Sequence, residues 1–270
     1  MTTIALDAPP EVTRHIGPAR TMRHGLALAW RGILKIRKNP EQLADVTLMP
    51  IIFLLLFAYV FGGAIGGSIE SYLPQLVPGL AVMTVMMASM TVGMNLNTDV
   101  SKGVFDRFRS MPIARPAPLI GAVLADLVRY LICMTILLVV ATIMGFRFGT
   151  GFVPVVAGVG LAMLFGLCFC WVAVWLGMLI RSPGAMQGLL GMLSLPLTFG
   201  SNVFASSDTM PSWLKAWVDI SPVTQVADTL RGLFVGGPVA GPLLGSFAWM
   251  AGILVVFFPL AMRAYRKRLS

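Results

Sequence analysis

LVPGLAVMTVMMASMTVGMNLN (76–97), then SKGVFDRFRSMPIARP (101–116), then LIGAVLADLVRYLICMTILLVVATIMGF (119–146): two long apolar runs flank a short basic loop. A bilayer core of roughly 30 Å needs about 20 apolar residues of helix. Lipid also admits only backbone whose hydrogen bonds close internally, so both runs are expected to be helices. Further runs of the same kind lie at 46–66, 152–180, 185–205 and 244–262. The fold class expected is therefore an all-α polytopic membrane protein with six transmembrane helices. One membrane domain would extend over residues 23–270, behind a polar tail, 1–22, whose composition suits disorder. The first apolar run starts too late and is too long for a signal peptide.

Charge sets the expected topology. Arg14, Arg20, Arg23, Arg31, Lys35, Arg37 and Lys38 precede the first run, and Lys102, Arg107, Arg109 and Arg115 follow the second. Arg181 follows the fourth run, and Arg263, Arg266, Lys267 and Arg268 follow the sixth. The alternate loops hold only Arg147, Lys215 and Arg231. By the positive-inside rule both termini and the basic loops face the cytoplasm. A net charge of +9 would suit nucleic acid, but bases confined to alternate loops act as topology signals and lipid-headgroup contacts. No nucleic-acid partner is expected. With 11% charged residues, against about 25% in a soluble domain, the chain leaves no room for a second, water-soluble domain.

Between the runs the pattern is informative. In 23–38, Leu26, Trp30 and Ile33 recur at helical spacing, with Arg31, Lys35 and Lys38 on another face. This predicts an amphipathic helix in the membrane interface, ended by Asn39-Pro40. The second run ends in Asn95, Asn97 and Asp99, where it is expected to meet water. In the next loop a helix over 103–111 would set Phe105 and Phe108 on one face and Asp106 and Arg109 on another. It fits an interfacial helix or a docking helix for a cytoplasmic partner.

Asp126 and Arg129 stand one turn apart in the third run. An ion pair there is either a polar element of a transport path or a pair near the inner interface, and the second reading is preferred. Gly184, Gly188 and Gly191 open the fifth run, and Gly62 and Gly66 end the first. Such small residues allow close helix approach, in a homodimer seam or within the chain. The loop 206–242 predicts two short outer helices. The first carries Trp213, Leu214 and Trp217. The second starts at Ser221-Pro222, places Thr224, Asp228 and Arg231 on one side, and stops at Gly236-Gly237-Pro238.

Some chemistry is missing. No Gly-Lys dipeptide occurs, so the usual phosphate-binding loop is absent. Cys133, Cys168 and Cys170 lie in the runs and His15 and His24 in the N-terminal region, which leaves no metal-ligand constellation. One Asp–Arg pair is thin support for an ion-driven carrier. The chain has the makings of a pathway without an engine.

The N-terminal amphipathic helix, the six runs and the loop Gly103-x-x-x-Arg107-x-Arg109-x-x-Pro112 together resemble the ABC type-2 exporter permeases. Met210-Pro211-Ser212-Trp213-Leu214, Ser221-Pro222-Val223-Thr224 and Leu230-Arg231-Gly232-Leu233 are similar to that family's terminal signature, most of all in daunorubicin-resistance permeases of bacterial drug exporters. Phe108 and Met111 stand where such loops often carry Leu, a conservative departure.

The resemblance implies a multi-pass protein of the bacterial inner membrane, paired with itself or a similar chain, above two copies of a separate ATP-binding subunit. ATP and Mg would be bound by that subunit; this chain would hold no cofactor and would not be an enzyme. Trp30, Arg31 and Lys35 of the interfacial helix, with Gly103, Phe105, Arg107, Phe108, Arg109 and Pro112 of the loop, would transmit nucleotide-driven closure. Gly184, Gly188 and Gly191 gain weight as seam residues. The outer helices, 211–219 and 222–235 with Trp213, Trp217 and Arg231, would cap the exit. Export of a hydrophobic or amphipathic compound by alternating access is the function expected. A lipid-linked glycan permease and a partner-free secondary carrier are the alternatives.

Overall fold

The structure, a computed structural model, describes residues 40–103, 117–180 and 182–269. The tail 1–22, the expected interfacial helix with Trp30, Arg31 and Lys35, and the loop residues Phe105, Arg107, Phe108, Arg109 and Pro112 lie outside the described residues.

Helix α1 (Pro40–Leu56) passes through a π turn (Phe57–Phe61) into α2 (Gly62–Gly66). Then come α3 (Ile69–Ser101), α4 (Ala117–Ile143), α5 (Phe152–Leu179) and α6 (Pro183–Phe199). A 3-10 turn (Ser207–Thr209) leads to α7 (Ser212–Ile220), α8 (Pro222–Phe234) and α9 (Ala240–Leu269). Among the described residues five helical stretches are long and apolar enough to cross a membrane: Thr47–Gly66, Ile69–Ser101, Val123–Ile143, Phe152–Leu179 and Ala240–Lys267.

The expected fifth span, 185–205, differs from the other five. Its helix α6 has 17 residues, about 26 Å at the α-helical rise, which is short of the hydrocarbon core. Beyond Phe199 the chain leaves the helix. Pro196 removes one backbone donor in the last turn, and Gly200 N donates to the Pro196 carbonyl at 2.8 Å to close the end.

The second span also differs from its expected bounds, starting at 69 rather than 76. Ser68 and Ser71 cap each other's backbone N–H groups at 3.2 Å, and Gly67 takes a positive φ of 75° to make the turn. The apolar pattern hides this start, because Glu70, Ser71 and Gln75 interrupt it.

Helix α3 is the axis of the bundle, buried from Tyr72 to Met86 almost without a break. It packs on α5 along a line of small residues. A Cβ on Gly93 would stand 2.2 Å from the Ala173 carbonyl oxygen, and one on Gly166 would stand 2.2 Å from Val85. These glycines let backbones meet at a distance no larger residue permits. Helix α9 closes the other side of α5, where Trp171 and Trp175 meet Phe258 and Phe257 edge-on. The α5 aromatics are thus packing residues.

Helix α8 is wedged among α3, α5 and α9, with Val223, Val226, Ala227, Leu230 and Phe234 fully buried. Gly236 and Gly237 follow it with φ of 105° and 135°, turning the chain into α9. The short helices fall where the sequence places them, but α8 is part of the core.

Candidate functional site

The chain ends of α3, α5 and α9 gather at one end of the bundle, where Leu96, Met178 and Tyr265 share an apolar cluster. The turn before α3, the α4–α5 loop and residues 200–239 gather at the other, where Gly149 N donates to the Phe234 carbonyl at 2.9 Å. Each end carries a distinct arrangement.

At the second end, Ser201, Asn202, Val203 and Phe204 are buried although they belong to no helix. Non-helical backbone away from water must find partners. Asn202 N donates to Thr224 Oγ1 at 3.2 Å. The Asn202 carbonyl accepts from Gln75 Nε2 at 3.0 Å and from Arg231 Nη2 at 2.7 Å. The Phe204 carbonyl accepts from the Tyr72 hydroxyl at 2.6 Å. Asn202 Nδ2 donates to Asp228 Oδ1 at 2.7 Å, and Arg231 pairs with the same carboxylate. Arg231 also reaches the Gln75 carbonyl through Nε at 3.2 Å and Nη2 at 3.1 Å.

Arg231 is therefore a bracket joining α3, the irregular segment and α8. The sequence points to Thr224, Asp228 and Arg231 as one face, and the structure brings them together. It misses Tyr72, Gln75 and Asn202; the signal available was a polar side chain beside or inside each apolar run.

Against this bracket lies a ring cluster. Phe57, in the π turn, stacks on Phe204 at 4.0 Å, and Phe199 stacks on Phe204 at 5.2 Å. Helix α7 rests above with Trp213 74% and Trp217 59% exposed, and Trp249 donates from its indole to the Ile220 carbonyl at 2.7 Å. An exposed aromatic face on a short helix suits the level of lipid headgroups. On its polar side the Lys215 ammonium bonds to Asp208 and holds that carboxyl below the usual carboxylate range.

The glycines singled out for close packing divide into two sets. A Cβ on Gly66 would meet Tyr72 at 2.7 Å, and one on Gly62 would meet Ile69 at 3.2 Å, so both are used by the turn into α3. Around Gly184, Gly188 and Gly191 no described atom lies within 4 Å of such a Cβ. Helix α6 touches the bundle through Met186, Leu190 and Thr198 and leaves Met192, Leu195 and Phe199 exposed.

Asp126 and Arg129 form an ion pair at 3.0 Å, both nearly buried. The pair is enclosed within the protein, one turn from Val123 of the apolar cluster at the first end. Asp126 Oδ2 has no hydrogen-bond partner among the described residues. A buried pair so sparingly bonded is weak support for stability.

At the first end α3 runs to Ser101 and stops at Gly103, which takes a φ of 66°. Asn97 does not meet water as expected: it is fully buried. The cause is a polar destination inside the protein, since its amide donates to the Gly177 and Ile180 carbonyls at the end of α5.

Comparison with known proteins bears on this bundle. Residues 24–235 match the model of the ABC-2 type transporter family. The chain is 38% identical over 253 residues to the daunorubicin resistance ABC transporter permease protein DrrB1 of Streptomyces coeruleorubidus, covering 93% of this chain and 89% of that one. Two relatives from Mycobacterium tuberculosis are more distant. The probable doxorubicin resistance permease DrrC is 27% identical over 64% of this chain and 63% of its own. The doxorubicin resistance permease DrrB is 29% identical over 61% and 59%. With five span-length helices and a family match over most of its length, this multi-pass membrane chain belongs to the ABC-2 type transporter permeases.

Proposed function

We propose that the chain is the membrane subunit of an ATP-driven exporter that moves a hydrophobic or amphipathic compound, such as a drug or antibiotic, out of the cell. The observation that carries this reading is its 38% identity, over 93% of the chain, to a daunorubicin resistance permease. ATP and Mg would be bound by a separate ATP-binding subunit present in two copies. The basic loop around Arg107 and Arg109, the interfacial helix with Trp30, Arg31 and Lys35, and both termini would face the cytoplasm.

Two permease chains would meet along α6. Its open glycine face supports this choice, since small residues in membranes favour helix approach. ATP binding would draw the subunits together and shift the pair from inward-open to outward-open, a population shift driven by differential binding. The bracket around Arg231 would hold the outer cap in place while α6 moves.

Reconstitution tests the reading. The chain and its ATP-binding subunit are placed in lipid vesicles, and ATP-driven movement of daunorubicin fluorescence is followed. ATP-dependent accumulation is expected. Movement driven equally well by a proton gradient without ATP would sink the reading and favour a secondary carrier.

A further inference from the structure

We propose that Asn97 fastens α3 to α5, so that the two helices move as one lever when the loop at the end of α3 is pushed. The inference rests on the coupling reading above and names the part that passes the push onward.

Asn97 lies four residues before the end of α3 and is fully buried. Its amide donates to the Gly177 carbonyl at 2.9 Å and to the Ile180 carbonyl at 2.6 Å. Gly177 lies in the last turn of α5, and Ile180 is the residue that caps it. One turn back, the helices touch backbone to backbone. A Cβ on Gly177 would stand 2.5 Å from the Gly93 carbonyl oxygen, and one on Gly93 would stand 2.2 Å from that of Ala173.

Contact between glycine faces is close but smooth. It resists separation, and it offers no side chain that resists sliding or rotation. Two hydrogen bonds from one rigid amide fix the register that the glycines leave free. Both amide hydrogens are used in this way, so the side chain is held in one orientation across the two helices.

The arrangement predicts what moves with what. Helix α3 continues directly into the loop at Gly103, α5 is tied to α3 at Asn97, and α9 packs along α5. Among the described residues, helix α6 turns Met186, Leu190 and Thr198 inward and leaves Gly184, Gly188 and Gly191 without a close neighbour. A displacement at the loop would reach α3, α5 and α9 together and change their position relative to α6.

The test uses the complete exporter in lipid vesicles and reads ATP hydrolysis and export side by side, with Arg107→Glu as the control for the coupling loop. Asn97→Ala should keep hydrolysis within about twofold of the parent while export falls by about tenfold or more. A double variant, Asn97→Cys with Ile180→Cys, is then made with Cys133, Cys168 and Cys170 replaced by Ala. Reduced, it should behave like Asn97→Ala. Joined by a short bis-methanethiosulfonate reagent, which forms a disulfide with each thiol and releases methanesulfinate, it should recover most of its export, because a covalent link replaces the hydrogen bonds.

If Asn97→Ala does not accumulate in the membrane, Asn97→Asp takes its place with the same two readouts. Export within about twofold of the parent for the Asn97 variant, or no gain on bridging, would overturn the proposal. Normal export by Arg107→Glu would instead overturn the coupling reading on which it rests. Loss with Arg107→Glu and none with Asn97→Ala would remove the clasp alone.

Discussion

Two regions of this chain are rich in glycine, and their surroundings are opposite. Along α3 and α5, Gly93, Gly166 and Gly177 are pressed against carbonyls and side chains at distances no Cβ could occupy. Along α6, Gly184, Gly188 and Gly191 have no described atom within reach of a Cβ. The first set is consumed inside the protein; the second is a surface of the same kind still open. Composition alone makes the two alike. What separates them is the neighbour, and the neighbour is settled by tertiary packing. The contrast is the ground for proposing α6 as the face that meets a second copy, and α3–α5 as the part that must not change shape.

The largest effect should come from filling the closed set. Gly93→Val would drive a branched side chain into the Ala173 backbone, which has no rotamer to yield with. A loss of about 3 kcal/mol or more is expected, read as a collapse of the thermal midpoint in detergent. An unchanged midpoint would show that α3 and α5 do not meet as described.

Arg231→Ala comes close behind. It leaves Asp228 without its cation and removes donors from the Gln75 and Asn202 carbonyls. About 3 kcal/mol is expected for breaking so enclosed a group, seen as a lower midpoint and as protease cutting near 200–206. Full resistance to cutting would mean that the bracket does not hold the irregular segment.

The open set should respond differently. Gly188→Ala should shift stability by no more than about 0.5 kcal/mol. Gly188→Trp should leave each chain folded but reduce the dimer fraction measured by mass photometry. If Gly188→Trp leaves the dimer intact, α6 is a lipid-facing helix and the comparison loses its functional half.

The smallest effect belongs to exposed Asp208, just before α7, and half-exposed Lys215 on that helix. The carboxyl is held below its ordinary value, so its contribution is present above that value and fades as pH falls through the depressed one. The ammonium is raised, so its contribution is complete below its ordinary value and fades only as pH rises through the raised one. Asp208→Asn should therefore lower the midpoint by the same small amount at pH 5 and at pH 7, small because the pair stands in solvent. A large drop at pH 7 would show that the pair is shielded in the assembled protein.

Much of the fold was legible because the bilayer imposes a simple rule on length and polarity. Five apolar runs became helices of spanning length, and Ser221-Pro222 opened the short helix it was expected to open. The rule fails where the chain obeys a different constraint. Helix α3 starts seven residues early because a reciprocal serine cap, not apolarity, sets its end. The fifth run continues past Phe199 without helix because Arg231, Gln75 and Thr224 satisfy its backbone from distant parts of the chain. Asn97 was expected at water because an asparagine at the end of an apolar run ordinarily marks the interface. Its acceptors lie some 80 residues away in sequence, and no local pattern reveals them. Open and filled glycines were likewise indistinguishable until their neighbours were in place.

The measurement that tests the central claim most directly is co-purification from the native host. The tagged chain is extracted in mild detergent and its companions are identified by mass spectrometry. The account predicts an ATP-binding subunit in a one-to-one ratio with the permease, lost from the Arg107→Glu, Arg109→Glu variant while the permease still reaches the membrane. A preparation free of any ATP-binding subunit, from membranes in which export is active, would contradict it.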